Sequence, residues 1–420
     1  MNLTPEQKEQ ARRAFLRAVA SPAVVDTVGA ATAVDGPLRG GGPVRVGLVG
    51  AGQQGRVLLD RSSPAHVDVR ALCDINPAQL AKADEVLQKS GRPAARHYAE
   101  WREMLEKEDL EAVILAPPLW QHAEMAAGAL QAGKHVLCEK MMAWDVEGCA
   151  KMAETAHQSG RVLEIGYQRN YNPTYLAAYH GVIKPGLLGE VYHARLVWHR
   201  NGNWRRQGQP PSPDYDPSQW GYPTFDHLFN WRLYWKYSKG LFAELASHQV
   251  NVTNWWLGAT PERVEAAGGI GRYKDGREVQ DHVYATFEYP GGRTVTFSSI
   301  ESNAFEGTYE AFFGTKGTLI MSGEREAYLF TEGQADLVAP PPKELEPDEG
   351  RAAEAIGWTD LLGTDNRGRR LTSSRLQIAT FAAAIRSRRP LACGPDKAMN
   401  SARACIRANE AAQRHEPLPV

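Results

Sequence analysis

Three groupings of residues have the types and spacing that chemistry requires. Gly50-Ala51-Gly52-Gln53-Gln54-Gly55 is a GxGxxG that starts at the end of the apolar run VRVGLVG (44–50) and leads into a helix-like segment. In that context backbone N–H groups and a helix N-terminus face a diphosphate, and the missing side chains let the chain turn tightly and approach the phosphates. Asp74 lies 19 residues beyond Gly55, at the end of the next strand-like run. A carboxylate there accepts hydrogen bonds from both ribose hydroxyls and repels a 2′-phosphate. Ile75 and Asn76 follow it instead of a basic residue, so NAD is expected in preference to NADP. The bland alternative, a glycine-rich turn followed by an N-capping aspartate, needs strand, helix and carboxylate to coincide by chance. Glu139 and Lys140 close the run HVLCEK (135–140). Glu244 and His248 stand four residues apart, so one helix face would carry both and the carboxylate could orient the imidazole. Taken alone, that pair reads equally as two helix-surface neighbours.

The elements that position these residues follow an α/β pattern. VRVGLVG (44–50), VDVRALCD (67–74), EAVILAP (111–117), HVLCEK (135–140) and RVLEIGY (161–167) are near-continuous apolar runs separated by helix-like stretches. That alternation predicts a doubly wound parallel Rossmann sheet over 44–167. After about Gly189 the pattern changes to period-two alternation in EVYHARLVWHR (190–200), HVYATFEYP (282–290), RTVTFSSIES (293–302) and GTLIMSG (317–323). A second, α+β unit over 168–420 is therefore expected, built on a large, mainly antiparallel open sheet, with closing helices near 373–388 and 396–414. Residues 1–43 read as an N-terminal extension, with a Gly/Pro-rich linker at 34–43.

Composition narrows the function classes. Hydrophobic residues make up 43% and the formal net charge is −1, so no global field draws in nucleic acid or an anionic membrane, and neither partner is expected. Five scattered cysteines form no CxxC pair, and the histidines show no ligand-like spacing, so no metal is predicted. Arg12-Arg13-Ala14-Phe15-Leu16-Arg17 resembles a twin-arginine export signal, yet Pro22 and Asp26 interrupt the apolar stretch after it. A cytoplasmic protein with a helical extension is the expectation, with export to the periplasm as the alternative.

The segment Gly-Lys-His-Val-Leu-Cys-Glu-Lys (133–140), the APPLWQH stretch (116–122), IGYQRNYNP (165–173) and GLFAELASHQVNVTNWWLG (240–258) resemble, in order and spacing, the motifs of the Gfo/Idh/MocA oxidoreductases. The resemblance runs from about residue 44 to the C-terminus. It implies that Lys140 stands beside the nicotinamide and that His248 exchanges a proton with the reacting hydroxyl, with Glu244 supporting it. It also implies that Gln53, Gln54, Pro117, His122 and Glu139 adjoin the dinucleotide. A lysine near a cationic ring is a candidate base or relay, and a histidine suits proton transfer near neutrality. The chain departs from the family at Met141, where proline is usual after the Glu-Lys pair, and at Glu244, where aspartate is common.

Seven of eleven tryptophans fall between Trp198 and Trp256, among tyrosines and arginines, with the irregular stretch 201–239 at the centre. Aromatic faces mixed with forked donors suit a polyhydroxylated ring, and suit a satellite core or subunit contact as well. His199 and Arg232 are candidate substrate contacts from this region. Gln168 and Arg169 are candidates because they follow the last Rossmann strand, at the edge where ligands bind. The resemblance implies NAD-dependent oxidation of a secondary hydroxyl on a sugar, glycoside or cyclitol. The alternative is a glycosidase that keeps NAD, oxidises its substrate transiently, eliminates the aglycone and re-reduces the product. A non-catalytic NAD sensor ranks last, since it would use Lys140 and His248 only structurally. A homodimer or homotetramer is expected.

Overall fold

The computed structural model describes residues 3–33, 38–332 and 372–420. The first sheet has six parallel strands: β1 (Val44–Val49), β2 (Val67–Cys73), β3 (Arg96–Tyr98), β4 (Ala112–Leu115), β5 (His135–Cys138) and β6 (Leu163–Ile165), in the order β3-β2-β1-β4-β5-β6. The expected strands are present, each one to four residues shorter than its apolar run. β3 is additional: a three-residue edge strand without apolar alternation, paired with β2. Val46, Leu48, Leu72 and Ile114 are buried on one face, and Val49, Cys73, Val113 and Leu115 on the other. Burial of both faces explains why these strands read as continuous apolar runs.

The second sheet has eight strands: β7 (Val191–His199), β8 (Arg263–Gly269), β9 (His282–Tyr289), β10 (Arg293–Ile300), β11 (Thr308–Gly314), β12 (Gly317–Ser322), β13 (Glu326–Thr331) and β14 (Leu418–Pro419), ordered β13-β12-β11-β7-β10-β9-β8-β14. All its neighbours are antiparallel except β7 and β10, which run parallel. Its inner face packs on the helices Ser247–Leu257 and Pro395–Arg414, so Leu196, Phe287, Phe297 and Phe312 lie in the same apolar core as Val250 and Ala404. Side chains at alternate positions, among them Tyr284 (46% exposed), stand on the other face.

Both ends of the chain return to the body. The helix Pro5–Val19, opened by a capping box between Thr4 and Gln7, packs against β13 and buries Phe15 and Val19. Arg12 and Arg13 lie on its open side and pair with Glu9. The helix Pro22–Thr32 packs on Pro173–Ala178. Among the described residues no single helix is long and apolar enough to cross a membrane. Part of the expected linker 34–43 lies outside the described residues. The helix Ser373–Ser387, assigned from sequence to the second unit, packs on the Rossmann layer: Ile378, Phe381 and Ala382 join Leu48 and Ile114, and Arg386 forks onto Glu111 at 2.7 and 2.8 Å.

Candidate active site and dinucleotide cleft

The cleft opens at the carboxyl ends of the Rossmann strands. Gly50 follows β1 with φ +87, and a Cβ there would press on Ala116. A Cβ on Gly55 would collide with the Gly50 carbonyl, so this glycine seats the helix Gln53–Arg61 against the strand. Gly52 has nothing near its missing Cβ and leaves the helix N-terminus open. Asp74 accepts from the backbone N–H of Ala51 and of Asn76, each at 2.8 Å. Burial raises its pKa to about 6, against the opposing pull of these N–H groups and of Arg56. A cavity of about 620 Å³ runs between Gly50, Gly52, Gln53, Asp74 and Pro117 on one wall and Arg206, Trp220, Tyr222 and Trp231 on the other. Its size and its open helix N-terminus fit a dinucleotide.

A second centre lies where β5 meets the segment Phe242–Ala246. Lys140 Nζ donates to the Glu244 carbonyl oxygen at 2.8 Å and lies 3.7 Å from the Glu244 carboxylate. Arg232 Nε donates to Glu244 Oε2 at 3.0 Å. Burial pushes the Glu244 pKa up, but Arg232 and Lys140 outweigh it and hold the group below its usual value. Glu139 accepts from Gln54 Nε2 at 2.8 Å, which ties the residue beside Lys140 to the phosphate-binding helix. His122 is buried with Nδ1 2.8 Å from the Met141 carbonyl and Nε2 3.2 Å from that of Pro117. It therefore braces the loops around Lys140 instead of facing the cavity. The Lys140–Met141 peptide is cis.

His248 is only 8% exposed, between Tyr167 and Trp198, with ring centroids 6.4 and 5.8 Å away. Its Nδ1 has no hydrogen-bond partner among the described residues. Burial, then the charges of Lys140 and Arg169, drive its pKa well below the ordinary histidine value, so the ring is neutral near pH 7.

Besides the placement of His122, three expectations are corrected by this geometry. Glu244 does not pair with His248, because Phe242–Ala246 is a π-helical turn. The wider turn breaks the four-residue alignment, and the carboxylate meets Lys140 and Arg232 instead. Arg169 does follow the last Rossmann strand, but its guanidinium is 1% exposed, paired with Glu310 and, at 2.8 Å, with Glu324. Its Nη1 and Nε are thus spent inside the protein. His199 points to the face of β7 opposite the core, bonding Ser298 Oγ and the Phe305 carbonyl at 2.9 Å each. Trp198, one position earlier, is the residue of that strand beside His248.

Arg232 reaches the centre through Glu244, and Gln168 lies in the short turn Gln168–Tyr171 after β6. Sequence reasoning missed Tyr167, Arg56 and the cavity-facing role of Arg206. Tyr167 and Arg56 carry no spacing signal, whereas the aromatic density of 201–239 did mark a binding segment. Among the described residues, no three His, Cys, Asp or Glu side chains are grouped to hold a metal ion.

This two-unit arrangement agrees with the family matches. Residues 44–167 match the oxidoreductase family with an NAD-binding Rossmann fold, and residues 177–320 match the GFO/IDH/MocA C-terminal domain. A glycosyl hydrolase family 109 protein of Phocaeicola vulgatus is 32% identical over 155 residues, 36% of this chain and 37% of that protein. An alpha-N-acetylgalactosaminidase of Shewanella oneidensis is 30% identical over 179 residues, 39% of each chain. The match thus spans about two fifths of these curated relatives. The WlbA dehydrogenase of Bordetella pertussis, solved with NADH and UDP-GlcNAcA, shares the fold at a TM-score of 0.68 and 19% identity, covering 90% of this chain and 98% of that one. Two family domains in tandem, over residues 44–167 and 177–320, place the chain in the Gfo/Idh/MocA family of NAD-binding oxidoreductases.

Proposed function

We propose that the protein oxidises a secondary hydroxyl of a sugar, glycoside or cyclitol, with bound NAD supplying the acceptor for the hydrogen that leaves the carbon. The observation that carries this reading is a buried imidazole, His248, set beside Trp198 with its Nδ1 unpartnered among the described residues and its pKa held below the ordinary value by burial and the charge of Lys140. A neutral ring takes the hydroxyl proton as the carbon–hydrogen bond breaks, and the nearby positive charges stabilise the alkoxide-like oxygen in that transition state. Glu244 and Arg232 position Lys140, and Trp198 offers a flat apolar face next to the base. These features suit a ring bearing hydroxyls on one side and C–H bonds on the other.

The second reading is a glycosidase that keeps its NAD, oxidising the sugar transiently, eliminating the aglycone and re-reducing the ring. It is favoured by the names of the relatives at about 30% identity. Both readings use Lys140 and His248, so they part on the fate of the cofactor. Near-ultraviolet absorbance of reduced nicotinamide is followed while the protein meets sugars, glycosides and cyclitols with excess NAD. Sustained growth with one class, lost in Lys140→Ala and His248→Ala, supports the dehydrogenase. Cleavage of glycosides without such growth overturns it in favour of the glycosidase. We further propose a homodimer or homotetramer joined through the open face of the second sheet, which light scattering tests.

A further inference from the structure

The wall of the cavity opposite the glycine turn belongs to the irregular stretch 201–239, not to the Rossmann unit. This wall is packed down firmly. Tyr215 Oη donates to the Ile75 carbonyl at 3.0 Å, and Trp120 Nε1 donates to Tyr222 Oη at 2.9 Å. Tyr222, Leu233, Tyr234 and Tyr237 form an apolar cluster with Ile75 and Trp120 of the Rossmann unit. Asn230 holds the backbone of Arg206 from both sides, accepting from its N–H at 2.7 Å and donating to its carbonyl at 3.2 Å.

The charges on this wall are unequal. Arg205 is engaged by Asp226 and Asp275, and Arg232 by Glu244. Arg206 lines the cavity and reaches Gln53 Oε1 at 3.3 Å, at the first residue of the helix Gln53–Arg61. Among the described residues no carboxylate comes within ion-pair distance of it. Arg56 lines the same cavity, bonded to the Ala51 carbonyl and to Gln79, with no ion pair among the described residues although its charge is felt by Asp74. Two guanidinium groups at the positive end of a helix repel one another until an anion sits between them.

We propose that the second unit supplies the lid of the dinucleotide site, with Arg206 clamping the diphosphate against the helix Gln53–Arg61 and the aromatic packing behind it slowing cofactor release. The proposal rests on the NAD-dependent reading and goes beyond it, because it names the residues that govern retention.

Calorimetric titration of ADP and of adenosine, together with stopped-flow release of NADH into excess NAD, tests it on wild type, Arg206→Ala and Tyr222→Phe. Arg206 is exposed and Tyr222→Phe removes one hydroxyl, so an unchanged thermal midpoint establishes that both variants fold. The expected result for Arg206→Ala is ADP affinity weaker by about ten- to a hundredfold, the worth of a charge-assisted hydrogen bond, with adenosine affinity unchanged. Both variants release NADH faster than wild type. Equal loss for ADP and adenosine, or no loss for either, overturns the clamp. Release from Tyr222→Phe as slow as from wild type overturns the role of the packing. A wild-type protein that binds neither ADP nor NADH brings down the NAD-dependent reading itself, an outcome distinct from normal binding with fast release.

Discussion

Lys140 and Glu244 meet across the two units: the ammonium at the end of β5 donates to the Glu244 carbonyl at 2.8 Å and lies 3.7 Å from the same residue's carboxylate. The first contact depends on the π turn and the second on the side chain. A change at the Glu244 side chain therefore removes the ion pair while the backbone acceptor stays.

From this relationship follows a test of what sets the charge of His248. Its folded-state pKa lies well below the unfolded value of 6.5, with burial as the main cause and Lys140 second. Replacing Lys140 by methionine removes a nearby positive charge, so the titration of the His248 ring, followed by NMR and assigned with His248→Asn, moves upward. Glu244→Gln leaves it closer to wild type than Lys140→Met does, since the carboxylate does not pair with the ring. The linkage has the same sign in both proteins. The contribution from the neutral ring is present above about pH 6.5 and is lost as pH falls toward the folded pKa. An unmoved titration in Lys140→Met would show that burial alone keeps the ring neutral.

Arg169 is expected to act on stability, not on substrate affinity. Its guanidinium is paired with Glu310, itself 1% exposed, and lies 5.2 Å from the Trp198 ring and 5.6 Å from that of Tyr175. Arg169→Met leaves Glu310 as an unpaired buried charge and should cost about 3–5 kcal/mol in urea denaturation. Adding Glu310→Gln should return a large part of that loss, because the stranded charge is gone. A folded, fully stable Arg169→Met with a raised KM would instead restore the substrate-binding role.

Glu164, fully buried in β6, provides a pH-dependent stability test. Burial raises its pKa to about 8, against the pull of Tyr171 and Gln377, and no cation pairs with it among the described residues. Its proton is therefore retained on folding. Stability is greatest below the unfolded value of 4.5 and falls as pH rises toward about 8, where the loss is complete. Glu164→Gln should flatten that slope and gain on the order of a few kcal/mol at pH 8–9 over wild type, read as thermal midpoints across pH. Parallel curves for the two proteins would place the charged carboxylate in an environment that solvates it.

Much of this molecule is written in local pattern. The apolar runs of β1, β2, β4, β5 and β6 are legible because both faces of a parallel sheet are buried. The strands β3, β8, β11 and β13 are less so, for a short edge strand or a glycine-rich one such as Arg263–Gly269 lacks the alternation that betrays it. The glycine turn and Asp74 were legible because their spacing is dictated by the ligand. Lys140 and His248 came through the motifs around them.

Sequence by itself determined in which order the strands appear and marked candidates for chemistry, since backbone geometry and hydrophobic periodicity act over a few residues. Tertiary structure decided the partners. Glu244 turned from His248 to Lys140 because a single π turn rotated its side chain away from the α-helical register. His199 gave way to Trp198 because successive strand residues face opposite sides of a sheet, so one position moves a side chain from the open face to the site. Arg169 went to Glu310, and Arg206 to the dinucleotide cleft, through contacts with residues 141 and 153 positions away in the chain. Neither spacing nor composition encodes such a meeting, because it exists only once the two sheets have packed.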